Sequence, residues 1–149
     1  VFMSLTKAGH SAIFSTTGNE DCHIILRGGN NKPNYDSKSV QHAAEQLEKS
    51  GLRPNLMVDC SHANSNKDYK RQVDVCRDVA SQIRHGEKRI MGVMLESHLV
   101  EGRQDVEPGK ELTYGQSVTD ACINWETTEN LLRELAEAVK VRRNSVKEV

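Results

Sequence analysis

Three apolar runs, evenly spaced and each closed by polar turn residues, restrict this chain more than any other feature. Cys22-His23-Ile24-Ile25-Leu26 stops at Arg27-Gly28-Gly29, Leu56-Met57-Val58 stops at Asp59-Cys60-Ser61-His62, and Ile90-Met91-Gly92-Val93-Met94-Leu95 stops at Glu96. Their starts at 22, 56 and 90 lie 34 residues apart, close to the ~30-residue size of a strand–helix–strand unit. The runs are near-continuous, not alternating, as strands of a parallel sheet covered on both faces are. A shorter run, Phe2-Met3-Ser4-Leu5, reads as a further strand. The segments at this spacing are unlike one another, so the period reflects architecture and not a sequence repeat.

Amphipathic stretches fill the intervals. Asp36 or Ser37 can cap a helix whose apolar stripe is Val40, Ala44 and Leu47, with Gly51 as its stop. Val73, Cys76, Ala80 and Ile83 form a second stripe ended by Gly86, and Leu131, Leu135 and Val139 a third, capped by Thr127 or Thr128. Lys140, Arg142 and Arg143 suit the negative pole of that last helix. Strands alternating with helices define βαβ units. A whole (β/α)8 barrel takes ~250 residues, so about four strands in 149 residues make half a barrel or a small open sheet. A half barrel leaves strand edges and one core face uncovered, and so needs its other half.

Composition narrows the class. Twenty Lys+Arg against 21 Asp+Glu, net −1, give no support for a general nucleic-acid binder. Hydrophobic residues at 36% and aromatics at 4% allow only a lean core. No run approaches the ~20 apolar residues of a membrane span, and no secretory signal opens the chain. Cys22, Cys60, Cys76 and Cys122 form no C-x-x-C and read as small hydrophobes in a reducing, cytoplasmic setting.

The chemistry collects after the strands. The run at 22–26 delivers Arg27, the run at 56–58 delivers Asp59 and His62, and the run at 90–95 delivers Glu96 with His98. In parallel α/β folds the carboxyl ends of the strands open on one face, where active sites form. His62 and Glu96 are nitrogen and oxygen donors suited to a divalent metal, and Asp120, after a long loop, offers another oxygen. A single histidine at a strand end is more often a hydrogen-bonded structural residue; the set of three points to a site. Arg27 with Gly28-Gly29 offers a planar fork and close backbone approach for phosphate or carboxylate, against the plainer reading of a Gly-Gly turn with a paired arginine. These glycines form neither G-x-G-x-x-G nor a P-loop, which disfavours a nucleotide. Lys7 and His10 follow the run at 2–5 and would lie on the same rim. Asn64, Asn66 and Lys67 could orient His62 or cap the next helix. A Cys60–His62 nucleophile pair is discounted, because neighbouring strand-end residues tend to point to opposite sides. Trp125 and Leu131 read as core.

Five segments, in order, resemble one family: Thr6-Lys7-Ala8-Gly9-His10-Ser11-Ala12-Ile13, His23-Ile24-Ile25-Leu26-Arg27-Gly28-Gly29, Asp59-Cys60-Ser61-His62-Ala63-Asn64-Ser65, Glu96-Ser97-His98-Leu99-Val100-Glu101-Gly102, and Tyr114-Gly115-Gln116-Ser117-Val118-Thr119-Asp120-Ala121-Cys122-Ile123. They are similar to the 3-deoxy-D-arabino-heptulosonate-7-phosphate (DAHP) synthases of the type regulated by aromatic amino acids in bacteria and fungi. The resemblance implies a (β/α)8 TIM barrel, with residues 1–149 as a single partial domain, its C-terminal half, of about four βα units. It implies condensation of phosphoenolpyruvate with erythrose 4-phosphate, the entry step of the shikimate pathway. On the family's pattern His62, Glu96 and Asp120 are ligands of a divalent metal (Mn, Fe, Zn or Co). Arg27 holds the phosphoenolpyruvate phosphate, with His62 close to that substrate, and Phe2 and Ser4 bind an aromatic amino acid inhibitor. Lys7 or a metal-bound water would handle the protons. The family's fourth metal ligand, a cysteine near the start of the barrel, has no counterpart here, nor has its lysine-rich erythrose 4-phosphate segment. The segment alone is therefore expected to be inactive, and the full-length protein a homo-oligomer with no nucleic-acid or membrane partner. Alternatives are a related synthase that condenses phosphoenolpyruvate with another sugar phosphate, and a non-catalytic regulatory module that binds an aromatic amino acid.

Overall fold

The computed structural model describes residues 1–30 and 32–145. Its main elements are β1 (Phe2–Leu5), β2 (Ser11–Phe14), β3 (Ile24–Leu26), α1 (Ser37–Lys49), β4 (Leu56–Asp59), α2 (Gln72–Arg84), β5 (Ile90–Met94), β6 (Val100–Arg103), β7 (Gln116–Ser117) and α3 (Trp125–Ser145). A single 3-10 turn, Tyr69–Arg71, leads into α2. The sheet that organises them is β3-β4-β5, parallel throughout. No helix among the described residues is long and apolar enough to cross a membrane.

Here the expectation of four parallel strands needs correction. β1 does not join the sheet; it pairs antiparallel with β2, in the register Phe2↔Phe14 to Leu5↔Ser11. The physical reason is the turn. Thr6–His10 closes with Gly9 at φ +81° and with Thr6 and His10 exchanging contacts across it, which folds the run back on Ser11–Phe14 before any helix can intervene. Phe2 and Phe14 stack with ring centroids 5.9 Å apart, the aromatic cross-strand pair that hairpins favour.

The helices form for the reasons their sequences suggest. Asp36 caps α1, its Oδ1 accepting from the amides of Lys38 and Ser39. The end of α1 is a Schellman closure: the Leu52 amide reaches Leu47 and that of Gly51 reaches Glu48, with Gly51 in the left-handed conformation that closure needs. In α2 the buried stripe is Val75, Cys76, Val79, Ala80 and Ile83, with Val73 only partly buried. α3 is capped by Asn124, whose Oδ1 accepts from the Thr127 amide, so neither Thr127 nor Thr128 has that role. Trp125 is 54% exposed and is not core, whereas Leu131 is buried.

The core lies between the sheet and its helices. Leu56 and Val58 of the central strand pack with Val40, Ala44 and Leu47 of α1, with Val79, Ala80 and Ile83 of α2, and with Ala138 of α3. The other face of the sheet is also apolar but open: Ile25 and Met91 are exposed by about half. The β4–β5 ladder slips by one residue. Leu56 faces Ile90 but Met57 faces Gly92, and Asp59 faces Met94, so Met91 is left without a partner as a β-bulge.

Candidate active site

Beyond the carboxyl ends of β4 and β5 lies a cavity of about 150 Å3, bordered by Ser61, His62, Lys67, Tyr69, Glu96 and Asp120. His62 sits at φ +48° in the turn that leaves β4, and its imidazole bridges two carboxylates. Asp59 Oδ2 is 2.8 Å from Nδ1, and Glu96 Oε1 is 3.8 Å from Nε2. Nδ1 is buried, and the Asp59 oxygen lies off the line of a ring N–H, so the contact is electrostatic and not a well-formed hydrogen bond. With Nδ1 against Asp59, the ring turns Nε2 to the cavity, toward Glu96. Asp59 is itself fixed, its Oδ1 accepting from the Ser61 amide.

Glu96 is held through its backbone. The fully buried Gln72, first residue of α2, donates from Nε2 to the Glu96 carbonyl at 3.2 Å and accepts from the Glu96 amide at 2.8 Å. The same carbonyl accepts the Ile123 amide at 3.0 Å, and the His98 amide reaches the Ile123 carbonyl. That pairing turns the chain back after β6 and β7 and delivers Asp120 to the cavity. Sequence reasoning missed Gln72. A glutamine at the head of a helix, within the turn where polar residues are ordinary, carries no mark of facing inward.

Arg27 follows Leu26, which pairs with Val58, so it emerges beside the end of β4. It is exposed and does not border the cavity. Its surroundings are rigid. The buried Asn64 donates from Nδ2 to the carbonyls of Leu26 (3.0 Å) and Asp59 (2.7 Å) and accepts from the Asn34 amide (2.7 Å). Asn34 in turn accepts from the Gly28 amide. Gly28 is at φ +77°, and a Cβ there would meet Ala63 Cβ at 2.7 Å and the Lys32 carbonyl oxygen at 3.0 Å, so only glycine fits.

The remaining predicted residues separate. Lys7 lies in the exposed turn of the β1–β2 hairpin, not at the end of a strand of the parallel sheet, and the reasoning that put it on the rim fails with β1. Phe2 and Ser4 are on that same hairpin, both exposed. Cys60 is buried against Val75, Cys76 and Ile123. The neighbouring Cys76 and burial push its thiol far above the ordinary value, which excludes a thiolate nucleophile beside His62. His98 is turned aside, accepting the Leu99 amide on Nδ1.

His62, Glu96 and Asp120 are the right donor types for a divalent cation and share one cavity. Among the described residues, however, no three of His, Cys, Asp and Glu converge closely enough to hold an ion unaided.

A parallel α/β sheet with its polar cluster at the strand ends defines a class of barrel-type and open-sheet enzymes. Within it, residues 3–133 match the family model described as the DAHP synthetase I family, and the chain belongs to that family. It is 61% identical over 144 residues to a phospho-2-dehydro-3-deoxyheptonate aldolase of Haemophilus influenzae, covering 97% of this chain and 40% of that protein. It is likewise 61% identical over 142 residues to the Phe-sensitive aldolase of Escherichia coli K12, covering 95% and 40%. The solved aldolase of Francisella tularensis superposes with a TM-score of 0.81 at 49% identity, over 95% of this chain and 41% of that one. The chain thus spans about 40% of the length of the curated relatives it matches.

Proposed function

We propose that this chain is the C-terminal half of a (β/α)8 barrel, one partial domain over residues 1–149 of a cytoplasmic enzyme. That enzyme condenses phosphoenolpyruvate with erythrose 4-phosphate and water, giving 3-deoxy-D-arabino-heptulosonate 7-phosphate and phosphate, the first step of the shikimate pathway. The observation that carries this reading is the meeting of His62, Glu96 and Asp120 at one cavity beyond β4 and β5, in a chain 61% identical to named aldolases. The open apolar face at Ile25 and Met91 supports a missing half that would cover it.

The chemistry joins two anions, so the protein must first neutralise and orient them. Arg27, on its rigid Gly28–Asn34–Asn64 mount, presents a fork to the phosphoenolpyruvate phosphate. His62, Glu96 and Asp120 would hold a divalent metal (Mn, Fe, Zn or Co), with a cysteine from upstream as a further ligand. When bound, the metal supplies Lewis acidity toward the aldehyde oxygen. C3 of phosphoenolpyruvate forms the new bond to the aldehyde carbon, water adds its oxygen to C2, and the phosphate leaves. Asp59 keeps His62 Nε2 directed at the cavity, and Gln72 keeps Glu96 opposite it. Lys7 has no part in this reading. Phe2 and Ser4, on the exposed hairpin, serve an aromatic amino acid inhibitor, in keeping with relatives named Phe-sensitive and tyrosine-inhibited, and the full-length protein is a homo-oligomer.

The test is phosphoenolpyruvate consumption by the full-length enzyme carrying this segment, with and without erythrose 4-phosphate, before and after chelation, beside His62→Ala. Consumption that needs the aldehyde, the metal and His62 is expected. A folded, metal-loaded full-length protein that consumes nothing would overturn the proposal.

A further inference from the structure

The loop that carries His62 holds three non-glycine residues in the left-handed region: His62 at φ +48°, Asn66 at +54° and Lys67 at +60°. Asparagine tolerates that conformation; a lysine there costs about 1 kcal/mol or more unless the surroundings impose it. Here they do. The Lys67 amide donates to the His62 carbonyl at 2.9 Å, the Ser65 amide to Ser61 and the Asp68 amide to Ser65. The backbone of Lys67 is therefore tied to the residue at the centre of the site, and Lys67 borders the same cavity as His62, Glu96 and Asp120.

Charge makes this placement informative. Two carboxylates face the cavity, and an entering phosphate or carboxylate would be repelled by both. Arg27 does not border it. Among the described residues that do, Lys67 is the cation. The contacts at the cavity, Asp59–His62 and His62–Glu96, leave Lys67 out, so its ammonium is available to a ligand. A compact ammonium on a flexible stem is suited to this, since it can follow one anionic oxygen without a fixed fork.

We infer that Lys67 is a substrate contact: its ammonium receives an anionic oxygen, phosphate or carboxylate, of a substrate bound beside His62. The inference rests on the synthase reading above. The left-handed backbone holds this lysine at the border of the cavity, between the exposed Asn66 and Asp68.

Lys67→Asn is the informative variant in the full-length enzyme, because asparagine accepts the left-handed backbone while removing the charge. Lys67→Gly does the same without a side chain, and Lys67→Arg keeps the charge. Since the lysine is exposed, the expected change is a KM for one substrate raised about fivefold in Lys67→Asn and Lys67→Gly, with kcat altered less and Lys67→Arg near the starting enzyme. That KM should also lose part of its rise with added salt. Whether the phosphoenolpyruvate or the erythrose 4-phosphate KM moves identifies which anion is held. Unchanged KM values for both substrates, with unchanged salt dependence, would overturn the inference while leaving the synthase reading intact. If the full-length protein proves inactive, calorimetric titration with phosphoenolpyruvate and with inorganic phosphate decides the point without turnover. Weaker binding of either anion to Lys67→Asn than to the starting protein supports the contact, and equal binding of both refutes it.

Discussion

Replacing Asn64 with alanine should disconnect the two strand ends that flank the site. Its side chain makes three hydrogen bonds, to the Leu26 carbonyl, the Asp59 carbonyl and the Asn34 amide, and it is only 1% exposed. Alanine leaves all three partners without their bond in a place water reaches poorly. At a net of about 1 kcal/mol per bond the loss is about 3 kcal/mol, or roughly a 150-fold shift in the local opening equilibrium. The assay is amide hydrogen exchange on the full-length enzyme, which reads local opening directly. The Asn34 amide donates to Asn64, and the Gly28 amide donates to Asn34, so both should exchange faster by one to two orders of magnitude. The Leu56 amide, bonded to Arg89 at the far end of β4, should not change. Asn64→Asp should be worse than alanine, because it keeps the acceptor for Asn34 but turns a carboxylate oxygen toward two carbonyls. If Asn34 and Gly28 exchange at the original rate in both variants, Asn64 is not what joins these segments and the account of Arg27's mount is wrong.

Gln72→Leu keeps the volume on α2 but removes both bonds to the Glu96 backbone; metal affinity of the full-length protein should fall 10–100-fold, read by calorimetric metal titration, and an unchanged affinity would show that Glu96 is held by its other contacts. Asp36→Ala should cost about 1 kcal/mol at neutral pH as a lost helix cap. The Ser39 hydroxyl first, and the Ser39 and Lys38 amides after it, hold the Asp36 carboxyl below its ordinary 3.8. A carboxyl lowered on folding contributes stability above its unfolded value that is lost as pH falls through the folded one. The gap between variant and starting protein in thermal melts should therefore narrow below pH 3.8, and a gap that widens in acid would contradict the assignment.

The sequence was legible where burial is continuous and punctuation is strong. The runs at 22–26, 56–58 and 90–95 overlie β3, β4 and β5, since both faces of these strands are apolar, one packed on helices and the other open. α1 was readable from Asp36 to Gly51 because its cap, stripe and stop agree. Phe2–Leu5 was readable as a strand but not as a hairpin arm: the three apolar residues of Ala12-Ile13-Phe14 were too few to announce β2, and a five-residue turn gives no clear signal of its own. In α2 the stripe was read partly in the wrong phase, through Val73, because Gln72 uses its inward position for a polar task. His62, Glu96 and Asp120 could be nominated from their places after strands. Their common cavity could not, because Asp120 arrives through the Glu96–Ile123 pairing after a long excursion, and local pattern says nothing about where such a loop returns.

The unpaired Met91 in the β4–β5 ladder sets a phase for everything downstream of it. Side chains alternate between the two faces of a sheet, so one extra residue inverts which face each later position occupies. Asp59 faces Met94 because of that slip, and Glu96 lies two residues beyond Met94. Deleting Met91 would remove the bulge and still leave Met57 opposite Gly92 and Asp59 opposite Met94, so Glu96 should keep its place beside His62. Metal affinity in such a variant should be retained if the ladder re-forms, and a collapse would mean that the bulge itself orients Glu96. The spare residue in β5 is thus slack in the strand, which makes a one-residue deletion at the bulge safer than one elsewhere in the sheet.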